Sequence, residues 1–210
     1  MSDQASAARG ERLLAALTQE SSDARLQAAL TAGTHPDPAF VGPLVHRSGV
    51  EPDFYVRDML SWALVRHPTE LVLPRLRAEL GSSNPQARSQ GLHTLSKIGA
   101  AHTRAWITRD HLHDPDDEVA RAAWRTAVGL APETETEERA RLAEELLAEL
   151  GRGEPQVQRS LSRALVELGD TVEAPLQRLS IRLEGPAGAH AAATLRLLHD
   201  PESSFFLGPA

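Results

Sequence analysis

The sequence of 210 residues carries a formal net charge of −7, which disfavours a dedicated nucleic-acid binder. It contains no cysteine, so disulfides and thiolate chemistry are excluded and a cytoplasmic location is the expectation. Only 4% of the residues are aromatic, and the abundance of alanine and leucine favours helices over strands.

The chain is predicted to form one domain over residues 1–210, beginning with a helical cap. The start, MSDQASAARGERLL, lacks the apolar region of a secretory signal, and no window is apolar enough to span a membrane. Residues 12–18 are predicted to form a helix within a cap of residues 1–20. A repeat occupies residues 21–199, and residues 200–210 form a tail.

Residues 21–199 repeat one helical pattern about every 32 residues. Each repeat has an anchor, and the residues four and eight positions after it are also apolar or small. The six anchors are Ala24, Val56, Ala87, Val119, Val157 and Ala189. This spacing lies on one stripe of a helix, so the pattern predicts six first helices that bury the stripe. Gly99 and Gly169, which follow two of these helices, are predicted to end them.

A second helix is predicted to follow each first helix. Proline recurs about 18 residues after the anchor, as Pro43, Pro74 and Pro175, and Ala105 takes the matching place in the third repeat. Because proline is well tolerated in the first turn of a helix, these positions are predicted to start the second helices. Turn-forming residues separate the repeats, as expected for a helix-turn-helix array.

Short motifs at the entry of three repeats resemble those of HEAT repeats: DFYVR at 53–57, NPQAR at 84–88 and DDEV at 116–119. The alanine-rich form is similar to the HEAT-like repeats of phycobilisome lyases, over about residues 21–199. The resemblance implies an all-α fold: an α-solenoid, a right-handed superhelix of about six repeats, with second helices lining a concave binding face. The second-position arginine is present in the first three repeats but replaced in the others by Ala120, Gln158 and His190.

Polar residues recur on the predicted second helices, three positions after the proline or its equivalent. The predicted partner-binding face comprises His46, Arg47, Arg75, Arg77, Trp106, Thr108, Arg109, Arg178 and Arg182. Guanidinium groups suit carboxylates and phosphates, so a row of arginines predicts an acidic peptide, a phosphate-bearing ligand or a nucleic-acid backbone. The alternative is a solvated helix face whose arginines pair with Glu70, Glu79 and Glu173.

Two charged segments have competing explanations. The glutamates of residues 133–149 form either an acidic surface for a basic partner or a solubilising helix with an ion pair between Glu137 and Arg141. The stretch HLHDPDD at 111–117 has two histidines and three carboxylates but no scaffold or distant third ligand, so no metal site is predicted. Its aspartates are instead expected to cap the next helix.

Aromatic residues are expected to serve packing. Trp62 and Trp124 lie on or beside the buried stripe of their helices, and His93 is expected to be half-exposed. Phe205-Phe206-Leu207 is predicted to cover the open end of the last repeat, with a hook for a partner or a dimer contact as the alternative.

No catalytic motif or phosphate-binding loop is recognisable, and no cofactor is predicted. The sequence therefore favours a non-enzymatic scaffold or adaptor that holds a protein or peptide partner, acidic if the arginines make the contact. The alternative is a nucleic-acid-binding protein, or a HEAT protein resembling DNA alkylation-repair glycosylases. In that case Asp110 would supply the carboxylate of an arginine-lined groove.

Overall fold

The computed structural model describes the backbone of residues 2–200 and the side chains of residues 8–200. The chain divides into two compact units, unit 1 up to Gly99 and unit 2 from Ala100 onward. Helices, turns and loops account for all of residues 2–200, and this part of the chain contains no strand. The Phe205–Leu207 segment lies outside the described residues, and the single domain over residues 1–210 stays a prediction.

Unit 1 consists of two layers of α-helices. Its α-helices are α1 (Ser2–Leu17), α2 (Ser22–Thr34), α3 (Val41–Ser48), α4 (Phe54–Val65), α5 (Thr69–Leu80) and α6 (Pro85–Ile98). The first helices α2, α4 and α6 pack in sequence, while α1, α3 and α5 form the second layer against them. A 3₁₀ turn, Pro38–Phe40, leads into α3. The predicted N-terminal helix is present and is longer than expected.

Unit 2 continues the alternation of first and second helices. Its α-helices are α7 (Arg109–Leu112), α8 (Asp117–Gly129), α9 (Thr136–Leu147), α10 (Pro155–Glu167), α11 (Glu173–Arg182) and α12 (Gly185–His199). Two 3₁₀ helices, Ala101–Trp106 and Gly169–Val172, precede α7 and α11. The first helices α8, α10 and α12 pack in sequence.

All six predicted first helices are present, and burial of the stripe follows the prediction in the four middle repeats. There, every anchor and every residue four or eight positions after it is buried. The two outer repeats differ, because within residues 2–200 each of their first helices has a neighbouring first helix on one side only. In α2, Ala24 is exposed and Ala28 is half-buried, and in α12 both Ala189 and Leu197 are half-buried.

Side-chain caps start several first helices as the turn motifs predict. Asp53 Oδ1 accepts hydrogen bonds from the backbone N–H groups of Tyr55 and Val56, at 2.9 and 3.1 Å. Asp116 does the same at α8, where it accepts from two backbone N–H groups. At the other end of a first helix, Gly99 adopts a φ of 69°, the left-handed conformation that glycine allows at low cost.

The second helices depart from the prediction in two repeats. Pro43 and Pro175 lie in the first turn of α3 and α11, as expected, but Pro74 lies inside α5, because that helix already begins at Thr69. In the third repeat, Ala105 belongs to a 3₁₀ helix, and α7 supplies only four α-helical residues.

The second-position arginines of unit 1 fix the turn that precedes each helix. Arg57 Nη1 donates to the carbonyls of Glu51 and Pro52 at 2.9 and 2.7 Å, and Arg25 and Arg88 make the corresponding bonds. In unit 2, Gln158 Nε2 replaces such an arginine by donating to the carbonyl of Gly153 at 3.0 Å.

The two stripe tryptophans pack as predicted. Trp124 is completely buried, and its indole N–H donates to the carbonyl of Leu112 at 2.8 Å. Trp62 is half-buried and lies directly against Gly33 of the preceding first helix. His93 is half-buried, also as predicted.

No helix within residues 2–200 is both long enough and apolar enough to cross a membrane.

Candidate partner-binding surface

Three predicted site residues lie exposed on the second helices of unit 1. Helices α3 and α5 each turn an apolar stripe toward the first helices, and these buried residues are Val41, Leu44 and Val45 in α3 and Val72, Leu73, Leu76 and Leu80 in α5. His46 of α3 and Arg75 and Arg77 of α5 are all exposed. We call these three residues the basic face of unit 1.

Arg75 reaches from α5 toward α3, the helix that carries His46. Its Nη1 atom lies 3.7 Å from the position that a Cβ atom of Gly42 would take, so the guanidinium packs beside this glycine. Among the side chains of residues 8–200, neither Arg75 nor His46 has a hydrogen-bonding or ion-pair partner. Their donors are therefore accessible to a ligand.

Arg47 also lies on α3, but its charge is used inside unit 1. It forms an ion pair with Glu51 (Nη2–Oε2, 2.7 Å), and Glu51 is completely buried. Burial alone would raise the pKa of the Glu51 carboxyl group. Hydrogen bonds from Arg25, from the backbone N–H of Asp53 and from Arg47 outweigh burial and lower this pKa to about 2. Arg47 is therefore not part of the basic face.

The predicted site residues around α7 in unit 2 are engaged with neighbouring side chains. Trp106 is half-buried at the end of a 3₁₀ helix, where its ring meets that of His102 edge to face at 6.0 Å. Thr108 is the N-cap of α7, and both its amide and its hydroxyl lie 3.0 Å from His111 Nδ1. Arg109 forms an ion pair with Glu145 of α9 (Nε–Oε2, 2.9 Å).

An ionic network that the sequence did not predict joins the turn after α7 to α9. His113 lies between two carboxylates, with Nδ1 2.5 Å from Glu149 Oε1 and Nε2 2.6 Å from Glu145 Oε2. Partial burial would lower the pKa of His113, but the hydrogen bonds that its ring donates to Glu145 and Glu149 raise this pKa overall. Arg152 extends the network with an ion pair to Glu149 at 2.8 Å. The available signal was the spacing of Glu145 on α9 and Glu149 in the turn that follows this helix, four residues apart.

In the C-terminal part of the acidic segment 133–149, Glu145 and Glu149 make structural contacts with His113. Nearer its start, Glu137 and Arg141 form the predicted ion pair at 3.2 Å. His111 and His113 are both occupied by the contacts above. Across the described residues, no three or more histidine, aspartate or glutamate side chains cluster in a way that could hold a metal ion.

Helix α11 carries the two remaining predicted residues, Arg178 and Arg182, and both are exposed. Within the described part of the chain neither has an ion-pair partner. Glu173, the acid expected to neutralise such arginines, instead accepts a hydrogen bond from His199 at 2.9 Å. Ile181 lies next to Arg182 and is 86% exposed.

Of the predicted residues, His46, Arg75, Arg77, Arg178 and Arg182 lie exposed on second helices, and Arg47, Trp106, Thr108 and Arg109 make the contacts described above. A single row through all nine residues stays a prediction. Asp110, the carboxylate of the alternative hypothesis, is exposed on α7 beside Arg109, whose charge Glu145 already balances.

Comparison with known proteins supports the fold and no specific activity. No protein-family model and no curated protein sequence matches the chain. Its structure is similar to that of the karyopherin Kap121p, solved in complex with the extreme C-terminus of the protein phosphatase Cdc14p, with a TM-score of 0.64 and 19% identity. The match covers 89% of this chain and 22% of the karyopherin, so the chain spans about a fifth of that protein's length.

A second solved structure, an engineered protein, matches with a TM-score of 0.49 and 19% identity over 91% of this chain and 96% of the other. The all-α architecture with alternating first and second helices, together with the karyopherin likeness, confirms the predicted α-solenoid class. The chain has a HEAT-like helical-repeat fold.

Proposed function

We propose that the protein is a non-enzymatic scaffold, and that the basic face of unit 1 binds an acidic segment of a protein partner. The observation that carries this proposal is the contrast among the arginines of unit 1. Arg25 and Arg57 donate hydrogen bonds to backbone carbonyl groups, and Arg47 pairs with the buried carboxylate of Glu51. Arg75, in contrast, is exposed and has no partner in the described residues. An exposed guanidinium without an internal partner favours a carboxylate ligand, because its planar group of N–H donors matches the two carboxylate oxygens.

The distribution of charge supports an acidic partner for unit 1 in particular. Residues 1–99 contain ten basic and ten acidic side chains, while residues 100–210 contain twelve and nineteen. The whole excess of acid therefore lies in the second part of the chain. An acidic segment would meet less repulsion on unit 1 than on unit 2.

The structural likeness to a karyopherin in complex with the C-terminus of another protein supports a protein-binding role. In such arrays the second helices commonly offer an extended surface for a peptide. We also propose a cytoplasmic location, in line with a sequence that has no cysteine.

The test is charge reversal on the basic face. We would compare the wild type with the double variant His46→Glu/Arg75→Glu in a pull-down from the native cells, and then titrate each protein with the acidic segment of the captured partner. The double variant should bind at least about tenfold more weakly, since the attractive Arg75 contact is lost and two negative charges repel the acidic segment. Arg163→Glu, which reverses the charge of an exposed arginine on the first helix α10, is the matched control and should bind like the wild type.

Circular dichroism would confirm that the double variant keeps its helicity. Equal affinity of the wild type and the double variant would show that the basic face is not the binding surface. Capture of a partner without any acidic segment would contradict the proposed chemistry of recognition.

A further inference from the structure

A shallow groove lies between α1 and α2 of unit 1, on a different surface from the basic face. Its volume is about 460 Å³, within the range of about 300–1,000 Å³ that is typical of ligand pockets. Leu13 of α1, Ala28 of α2 and Phe40 line its apolar part, and Arg9 and Arg12 of α1 also border it. We call it the end groove.

The end groove lies at the first repeat, where α2 has a neighbouring first helix, α4, on one side only within the part of the chain that the structure describes. In the four middle repeats the anchor is buried, as with Val56, which is 1% exposed. In α2 the anchor Ala24 is exposed and Ala28 is half-buried, and both residues line the groove. The anchor stripe of α2 is therefore open at the place where a further helix could pack against it.

The charged residues that line the end groove are two arginines, Arg9 and Arg12. Arg9 is paired with Asp37 at 2.5 Å, whereas Arg12 has no partner among the side chains of residues 8–200. An occupant that complements the groove must be apolar on one side and carry a negative charge near Arg12.

We propose that the end groove binds an acidic amphipathic helix of a protein partner. Its leucine side chains pack over Ala24 and Ala28, whose small size lets a helix approach closely, and a glutamate pairs with Arg12. This is recognition of a helix by a hydrophobic groove, with anchors at helical spacing. The proposal does not depend on the basic face, because His46 and Arg75 do not line the groove.

The experiment is a nuclear magnetic resonance titration of the full chain with a synthetic helical peptide. The peptide is about 14 residues long, or about four turns, with leucine at positions i, i+3, i+4 and i+7, glutamate at two positions beside this stripe and alanine elsewhere. A second peptide with lysine in place of every glutamate is the control for charge. Binding of the acidic peptide should shift the amide signals of Leu13, Ala24 and Ala28, and the lysine peptide should bind at least about tenfold more weakly.

Two variants test the location of binding. Ala24→Trp places a large ring in the groove from an exposed position and should abolish the titration, and Arg12→Glu should weaken binding about tenfold. His46→Glu/Arg75→Glu should leave the affinity unchanged, which separates this site from the basic face. Because Arg12 is exposed, Arg12→Glu keeps the test valid even if Ala24→Trp lowers stability.

Several results would overturn the proposal. These are an acidic peptide that does not bind, shifts confined to residues outside the groove, or equal affinity for Ala24→Trp and the wild type. If sedimentation shows a dimer that Ala24→Trp dissociates, the occupant is a second copy of the chain and the proposed partner helix is wrong.

Discussion

Arg25 and Glu51 form a bidentate ion pair inside unit 1. Arg25 Nε donates to Glu51 Oε2, and Arg25 Nη2 donates to Glu51 Oε1, both at 2.8 Å. The pair links the first helix of one repeat to the turn that starts the next. Glu51 also accepts the backbone N–H of Asp53 at 2.9 Å, and Asp53 in turn caps α4. One buried carboxylate therefore connects the packing of two repeats with the start of a helix.

Removing the charge of Glu51 should destabilise unit 1 strongly. Glu51→Gln leaves Arg25 buried opposite a neutral group, and the loss of one partner of a buried pair typically costs about 3–5 kcal/mol. Urea denaturation at pH 7 would measure the free energy of unfolding. The control is Asp58→Asn, which breaks an exposed pair with Lys97 and should cost less than about 1 kcal/mol. A similar loss for both variants would contradict the structural role of Glu51.

The contribution of Glu51 should also depend on pH. Its pKa is lowered from 4.5 to about 2, so the stabilisation is complete above pH 4.5 and is lost as the pH falls toward 2. The amount is on the order of 3 kcal/mol. The difference in unfolding free energy between the wild type and Glu51→Gln should therefore shrink from pH 5 to pH 3. A difference that stays constant over this range would show that Glu51 does not titrate as described.

His113 should behave in the opposite sense. Its pKa is raised above 6.5, so its contribution to the stability of unit 2 is complete below pH 6.5 and is lost as the pH rises through the folded-state pKa. The pH titration of its ring proton signal would give the pKa in the wild type and in Glu149→Gln. We expect a value above 6.5 in the wild type and a lower value in the variant. A wild-type value at or below 6.5 would exclude the paired geometry in solution.

Close packing of two first helices should make Gly33 intolerant of alanine. A Cβ atom there would overlap the ring of Trp62 and lie 2.9 Å from Ala63 Cα, so Gly33→Ala should cost about 1–3 kcal/mol. Gly129→Ala is the control, because its nearest neighbour, Glu167 Oε1, would be 3.8 Å away. Alanine is the better helix former, so this control should be neutral or stabilising by up to about 1 kcal/mol. Thermal denaturation would measure the stability of both variants. An unchanged stability of Gly33→Ala would contradict the close contact between Gly33 and Trp62.

The nucleic-acid alternative leads to a separate prediction. A protein that binds a phosphate backbone binds most tightly at low salt, because counterion release drives association. We expect no retention of duplex DNA in a mobility-shift assay at low ionic strength, since Arg47 and Arg109 are already paired with Glu51 and Glu145. Retention that disappears on Arg75→Glu would favour a nucleic-acid partner over an acidic protein segment.

The sequence predicted the first helices well because their apolar spacing directly reflects the buried stripe. Val56 and Val157 are buried at the positions that the repeat gives them, and Asp53 caps its helix as the turn motif indicates. The second helices were harder, because a proline at one position does not determine where a helix begins. Pro74 lies inside α5, whose start at Thr69 had no comparable signal.

The candidate site was predictable only as a set of polar positions. Arg47 and Arg75 have the same chemistry and lie on successive second helices, but only Arg47 is near a buried carboxylate. That difference comes from tertiary contacts between repeats, as do the positions of His113 beside Glu145 and of Arg12 at the end groove. Spacing within one helix does not contain this information.

Site-specific cross-linking tests the central claim, recognition of an acidic protein segment by the basic face of unit 1, most directly. A photoreactive amino acid would replace Arg77 of the full chain in the native cells, beside an unchanged Arg75, and would replace exposed Arg163 of α10 in the control. The account predicts an adduct at position 77 whose cross-linked peptide is rich in aspartate and glutamate, with none at position 163. Cross-linking only at position 163, or to a segment that lacks acidic residues, would contradict it.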